Sequence, residues 1–332
     1  MSQTKRELVL AAFDNKSADR IPVGFWHHFL ADEIGANAFG NPAVVAQLIE
    51  GHKKWVSAFE PDLVKIMTDG FFRYDNAVIR NIKSVKDAAA IKPLGENSAW
   101  VQEQVAYAQQ VTELFGKDLV LLYNLFGAPR YLDWTIPDYR VGDQLIGQLI
   151  REDKSGLKYI LDVISEDVAT LAKALIRDAK VDGIYLSVQN VPTPEVTKAI
   201  YEEVVAPGEK KILAAANSES SYNMLHICGY DGCRNDISWY EDYDVKAINF
   251  ASYVEQVTLS AGKKVLGGRC VVGGFDNTVN GVLYKGSQSE IEAETAALLQ
   301  GIGRTGVILG ADCTIPRDIS IDHLNWVRAA AK

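Results

Sequence analysis

Short apolar runs alternate with longer stretches of helical spacing along the whole chain. Four to eight apolar residues bounded by glycine, proline or polar residues read as strands buried on both faces. Apolar positions at i, i+3 and i+4 read as helices with one buried side. These rules predict strands at 22–28, 63–69, 119–124, 183–189, 222–228, 245–250, 264–268 and 307–312. Helices are predicted at 3–14, 41–58, 84–90, 98–116, 142–151, 155–178, 194–219 with a break at Pro207-Gly208, 234–242, 289–301 and 321–332. Ser-x-x-Glu spacing at the start of the 289–301 helix has the form of a capping box.

Strands that alternate with helices imply parallel pairing through crossover connections. Eight such units predict an α/β fold, a closed (β/α)8 or TIM barrel built as a single domain from residues 1–332, with a doubly wound open sheet as the rival. Polar residues recur at the strand ends, namely His27, Asp69, Asn124, Gln189, Cys228, Asn249 and Cys313, and barrels of this kind build their chemistry there. That recurrence favours the barrel.

The sharpest chemical signal is His226-x-Cys228. Residues two apart on a strand share a face, so the imidazole and the thiol aim at one point. Cys313 closes a second apolar run, and only a closed ring would bring it to that pair. One imidazole and two thiolates form a zinc set whose fourth position stays open for water or substrate. A substrate thiol entering there would be held as a thiolate. The competing reading makes Cys228 and Cys313 small buried hydrophobes.

Asp69 is a candidate for orienting a substrate or stabilising positive charge on it, against a plain turn role before Gly70. Of His27-His28, alternation turns only one inward, and His27 is the expected proton donor or polar wall. Asn124, Gln189 and Asn249 are expected to contact substrate or cofactor. Trp26, Phe71, Phe72, Tyr74 and Tyr123 are expected in a pocket wall or in ordinary core. Gly273-Gly-Phe-Asp-Asn277 reads as a tight turn near a ligand, without the full dinucleotide fingerprint. Cys233 and Cys270 lack partners at metal spacing.

Composition narrows the picture without changing it. At 48% hydrophobic and 23% charged residues the chain can bury a large core. A formal charge of −9 with no basic stripe argues against nucleic acid or an anionic membrane as partner. No apolar run reaches the roughly 18 residues of a spanning helix, and the first residues lack the apolar region of a signal peptide. Four cysteines in 332 residues do not make a disulfide framework, so a reducing cytoplasm is the expected setting.

These residues resemble the uroporphyrinogen decarboxylase superfamily, which includes zinc- and corrinoid-dependent methyltransferases of the methylcobalamin:coenzyme M type. The likeness rests on Arg6-Glu-Leu, Asp19-Arg20-Ile-Pro22, Asp69, Phe126-Gly-Ala-Pro129, Leu225-His-Ile-Cys-Gly229 and Gly310-Ala-Asp-Cys-Thr-Ile-Pro316. It implies a (β/α)8 barrel, with His226, Cys228 and Cys313 as zinc ligands and a corrinoid brought by a partner protein. It also implies a homodimer. The decarboxylases carry an arginine-rich segment after the first strand, whereas residues 25–33 here hold no arginine. Where they carry Gly-His near the last strand, this chain has Asp312-Cys313. The resemblance therefore implies a methyltransferase moving a methyl group between a corrinoid and a small molecule or thiol. A tetrapyrrole decarboxylase and a non-catalytic corrinoid or small-molecule binder are the alternatives.

Overall fold

A computed structural model describes residues 2–138 and 141–332. Seven strands form one parallel sheet in chain order: β1 (Leu63–Ile66), β2 (Val120–Phe126), β3 (Gly183–Val188), β4 (Met224–Ile227), β5 (Ala247–Phe250), β6 (Cys270–Phe275) and β7 (Val307–Ala311). Every neighbouring pair is parallel. The order never reverses, as it would at the switch point of a doubly wound sheet.

The predicted first strand is reduced to one parallel bridge, Val23 to Leu309. Leu309 N–H donates to the Pro22 carbonyl at 3.0 Å, Gly24 N–H donates to Leu309 at 2.9 Å, and Asp62 N–H donates to Val23 at 3.0 Å. Residues 22–24 thus lie between β7 and the start of β1. The ladder stops there because the next carbonyls are claimed elsewhere. Phe25 accepts from the Trp55 indole, and Trp26 accepts from the Ile315 backbone. Gly310 makes the close approach feasible, since a Cβ there would stand 2.5 Å from the Gly24 carbonyl oxygen.

The sheet curls and packs on both faces. Alternate residues (Val120 and Leu122, Tyr185, Met224, Ala247, Val272, Ile308) join Trp26, Leu63 and Met67 in an inner apolar cluster. Their neighbours on the strands, such as Leu121, Ile184, Leu225, Ile248 and Val271, pack outward with the helices in a second, larger cluster. The N-terminal helix Lys5–Phe13 adds Val9, Ala12 and Phe13 to the inner cluster. Its Thr4 and Glu7 form a reciprocal capping box, and Arg6 is bonded to the Leu119 carbonyl and paired with Asp182. Arg20 holds buried Asp62 through two 2.7 Å bonds, and the same carboxylate accepts from Val23 N–H. Arg6 thus ties the N-terminal helix to the segments that enter β2 and β3, and Arg20 of the Asp19-Arg20-Ile-Pro22 signature ties residues 22–24 to the start of β1.

Several helices depart from their predicted form. The segments 142–151 and 155–178 run together as Gly142–Arg177, with a non-helical Asp153 between them. The 84–90 and 234–242 segments shrink to the 3-10 turns Val85–Ala90 and Ile237–Tyr240. Residues 264–268 are not a strand. Thr258 caps the helix Leu259–Val265, and Gly267 and Gly268 at φ 73° and 74° turn the chain into β6. Gly273 and Gly274, predicted as a turn, lie inside β6 at φ 134° and 109°, and a Cβ on Gly273 would meet Asn249 Nδ2 at 3.1 Å. Among the described residues no helix is long and apolar enough to cross a membrane.

Candidate active site

A cavity opens at the C-terminal ends of the strands. β4 delivers His226, whose parity along the strand matches that of inward Met224. Cys228 follows on the same parity, its N–H held by the Val188 carbonyl at 2.8 Å. Cys313 follows β7 and Asp312, and all three side chains line the cavity.

The donor atoms of His226, Cys228 and Cys313 lie within 4.8 Å of one another, and Cys313 Sγ is 3.5 Å from His226 Nε2. A tetrahedral centre with metal–sulfur bonds of about 2.3 Å and metal–nitrogen bonds of about 2.0 Å separates its ligand atoms by roughly 3.5–3.8 Å. The spacing and the chemistry of this donor set therefore suit zinc. His226 Nδ1 is buried without a hydrogen-bond partner among the described residues. Of the two sulfurs, Cys313 is drawn toward the thiolate. The Cys228 thiol hydrogen-bonds to it, burial opposes, and His226 and Lys65 add their pull. Ionising Cys228 as well is disfavoured by that same hydrogen bond, then by burial and by the charge on Cys313.

Beside this cluster lies Lys65 of β1, 7% exposed and part of the same cavity lining. Its Nζ stands 4.4 Å from the Tyr185 ring centre and 5.6 Å from that of Trp26. The Tyr185 ring stacks on the His226 ring at 5.1 Å. Burial pulls the Lys65 pKa down, while Cys313, Cys228 and Asp69 oppose that shift. Sequence reasoning passed over Lys65 inside an apolar strand. The available signal was its parity with inward Leu63 and Met67.

The walls are aromatic and polar. Phe72 stacks on Trp134 at 4.9 Å, and Phe126 meets the same indole edge-on at 4.5 Å. Arg130, from the helix Ala128–Thr135 behind the Phe126-Gly-Ala-Pro129 signature, lines the cavity with Asn124, Gln189 and His28. Arg130 is paired with Asp133 at 3.0 Å and also with Asp143. Burial and the nearby Asp143 push the Asp133 carboxyl up to about 7 against the pull of Arg130.

The remaining predicted residues divide. Asn124 and Gln189 reach the cavity. Asn124 donates to Thr68 Oγ1 at 3.0 Å, and Gln189 donates to the Tyr230 carbonyl at 3.3 Å. Asn249 does not reach it. It is fully buried, accepts from the Tyr185 hydroxyl, and donates to the Val272 and Ala311 carbonyls. Asp69 is also fully buried and absent from the lining. Its carboxylate accepts from Phe29 N–H at 2.6 Å and Leu30 N–H at 3.0 Å, and bonds His28 Nδ1 at 2.7 Å. Burial alone would raise its pKa, but those partners together hold it below the usual value.

His28, the histidine not chosen from sequence, is the one in this cavity. His27 packs edge-on against Trp55 and Phe29 and lines a separate groove. Of the aromatics named from sequence, only Phe72 is in the wall. Trp26 belongs to the inner cluster, and Phe71, Tyr74 and Tyr123 to the outer one. Cys270 lies in the inner cluster, where burial pushes its thiol up to about 12. Neither Cys270 nor Cys233 belongs to the three-donor group.

The sequence model of the family described as uroporphyrinogen decarboxylase (URO-D) matches residues 72–332. No curated protein matches the chain. Among solved structures, a methyltransferase from Methanosarcina mazei is similar over 99% of this chain and 98% of its own, with TM-score 0.69 and 17% identity. At that identity the likeness is one of fold. A B12-independent methionine synthase from Shewanella sp. W3-18-1 covers 68% of this chain and 65% of its own at TM-score 0.45 and 14% identity. That likeness is too remote to bear on function.

Proposed function

The chain belongs to the uroporphyrinogen decarboxylase family, and within it we propose a zinc-dependent methyltransferase that moves a methyl group between a corrinoid and a small molecule or thiol. The observation that carries this reading is the convergence of His226, Cys228 and Cys313 at one end of an aromatic-walled cavity. We read the sheet with residues 22–24 as a closed eight-membered barrel spanning 1–332, and the corrinoid as the cargo of a partner protein docking over the cavity mouth.

His226 and the two cysteines would hold the zinc. When bound, it supplies Lewis acidity at an open position, which favours the anionic form of a heteroatom ligand. The protein's own residues do the positioning. Phe72, Phe126 and Trp134 make an apolar wall that excludes water from the transferring methyl group. Asn124 and Gln189 offer polar contacts, and Asp69 fixes His28 at the rim.

The decarboxylase reading is weakened at the residues it needs. Asp69 is turned onto the His28 ring and the 29–30 backbone, residues 25–33 carry no arginine, and Arg130 is already paired with Asp133 and Asp143. A passive binder would have no use for a three-donor metal corner with a free position. The test is metal analysis of the purified protein with a methylcobalamin assay. We expect one zinc per chain, lost in Cys228→Ala and Cys313→Ala, and thiol-dependent demethylation of methylcobalamin. Metal-free protein that decarboxylates uroporphyrinogen would overturn the proposal.

A further inference from the structure

Lys65 poses a problem that the fold alone does not solve. A buried ammonium is costly unless something pairs with it. Yet among the described residues its Nζ makes no hydrogen bond or ion pair, only the two aromatic contacts. A cation over an aromatic face recovers part of that cost and leaves the N–H groups without acceptors. Asp69, the carboxylate at the same end of that strand, is committed to His28 and two backbone N–H groups. Zinc would not neutralise Lys65 either, because two thiolates and a divalent ion sum to zero charge. An acceptor that would keep Lys65 an ammonium is left to whatever occupies the cavity.

Resting on the methyltransferase reading, we propose that Lys65 is a further catalytic residue, its ammonium holding the substrate heteroatom that bears negative charge whenever the methyl group is absent. As the methyl carbon departs to cobalt(I), the bonding pair stays on the heteroatom, facing Lys65. In the opposite direction that lone pair would form the carbon–heteroatom bond to the methyl of methylcobalamin as the cobalt–carbon bond breaks, its pair remaining on cobalt as cobalt(I). Once methylated, the heteroatom is neutral and the pairing is lost. Lys65 therefore distinguishes the unmethylated ligand from the methylated one, apart from any contact either makes with the cavity wall.

A matched pair of probes isolates this effect: 2-mercaptoethanol and its S-methyl thioether, titrated calorimetrically into zinc-loaded full-length protein. In Lys65→Met the thiol should bind roughly ten- to hundredfold more weakly, the loss expected for one charge-assisted hydrogen bond. Thioether affinity should hold, and Lys65→Arg should keep much of the thiol preference. Lys65→Gln provides a second neutral variant with a more polar tip. Equal weakening of both probes, or no change in either, overturns the proposal.

Zinc content and methylcobalamin demethylation are read on the same samples. Protein that transfers no methyl, yet needs Lys65 for its thiol preference, sinks the methyltransferase reading and the catalytic role with it, sparing only Lys65 as the residue that holds the thiol. Protein that transfers methyl, with the thiol preference intact in Lys65→Met, does the reverse.

Discussion

Asp69→Ala and Asp69→Asn should separate sharply, because the carboxylate serves the backbone rather than the cavity. In the alanine variant the Phe29 and Leu30 N–H groups, both bonded to Oδ2, lose their acceptor. At about 1–3 kcal/mol for each orphaned donor, the cost is roughly 2–6 kcal/mol. Asparagine keeps one oxygen for both N–H groups and can donate to a neutral His28 ring. It forfeits only the charge opposite His28, about 1–2 kcal/mol. With an unfolding entropy of about 2.1 cal/mol/K per residue, 332 residues give roughly 0.7 kcal/mol per degree. Melting should therefore drop roughly 3–9 °C for alanine and 1–3 °C for asparagine.

Because the Asp69 pKa is held below its usual value, its contribution is present above that value and lost as pH falls through the lowered one. Both variants should lose less stability in acid than the wild type does. Thermal melts followed by circular dichroism, run beside methylcobalamin turnover, test the whole argument. An asparagine variant with wild-type stability and turnover down about 10³-fold would place Asp69 on the substrate and refute this account.

Arg20→Leu should cost about 3 kcal/mol by leaving the Asp62 carboxylate buried with only Val23 N–H, and urea midpoints that differ little from wild type would count against it. Glu209 is fully buried and accepts from the Tyr201 and Tyr243 hydroxyls at 2.6 Å each. Burial pushes its carboxyl up from 4.5 to about 7, against those two hydrogen bonds. Keeping it protonated favours folding, so that contribution is complete below pH 4.5 and disappears as pH rises through about 7. At 1.36 kcal/mol per pKa unit this is roughly 3 kcal/mol. Glu209→Gln should remove that part of the slope in urea unfolding at pH 5 and pH 8, leaving the share of Asp133 and Asp312, whose carboxyls are also raised to about 7. An unaltered slope would show that Glu209 does not titrate there.

Much of this arrangement was legible in the sequence, and the exceptions share a cause. Apolar runs located six of the eight predicted strands because a strand buried on both faces leaves little polar signal to mislead. The 264–268 run failed because Val265 and Leu266 look the same at the end of a helix as in a strand, and Thr258 capping decided between them. Parity found His226 and Cys228 together, and the donors prove to meet Cys313. It could not say which strand-end polar groups turn to each other. Asn249 was claimed by the Tyr185 hydroxyl and Asp69 by the His28 ring and the 29–30 backbone, across separations that no local pattern records. The choice of His27 over His28 assumed a strand through residues 22–28, and without a ladder beyond Gly24 the alternation argument lapses. Lys65 was missed because a lysine amid apolar residues reads as a surface position until the strand is seen to be covered on both sides.

The N-terminal helix plugging the inner cluster sets an order of events during synthesis. Phe13 and Ile308 belong to one apolar centre, so that centre stays incomplete until the ribosome has released the chain past Ile308. Until then the inner faces of the early strands stay uncovered, the kind of exposure that favours aggregation over folding. Cutting away β7 would leave that centre open from top to bottom, and helices already formed could not compensate.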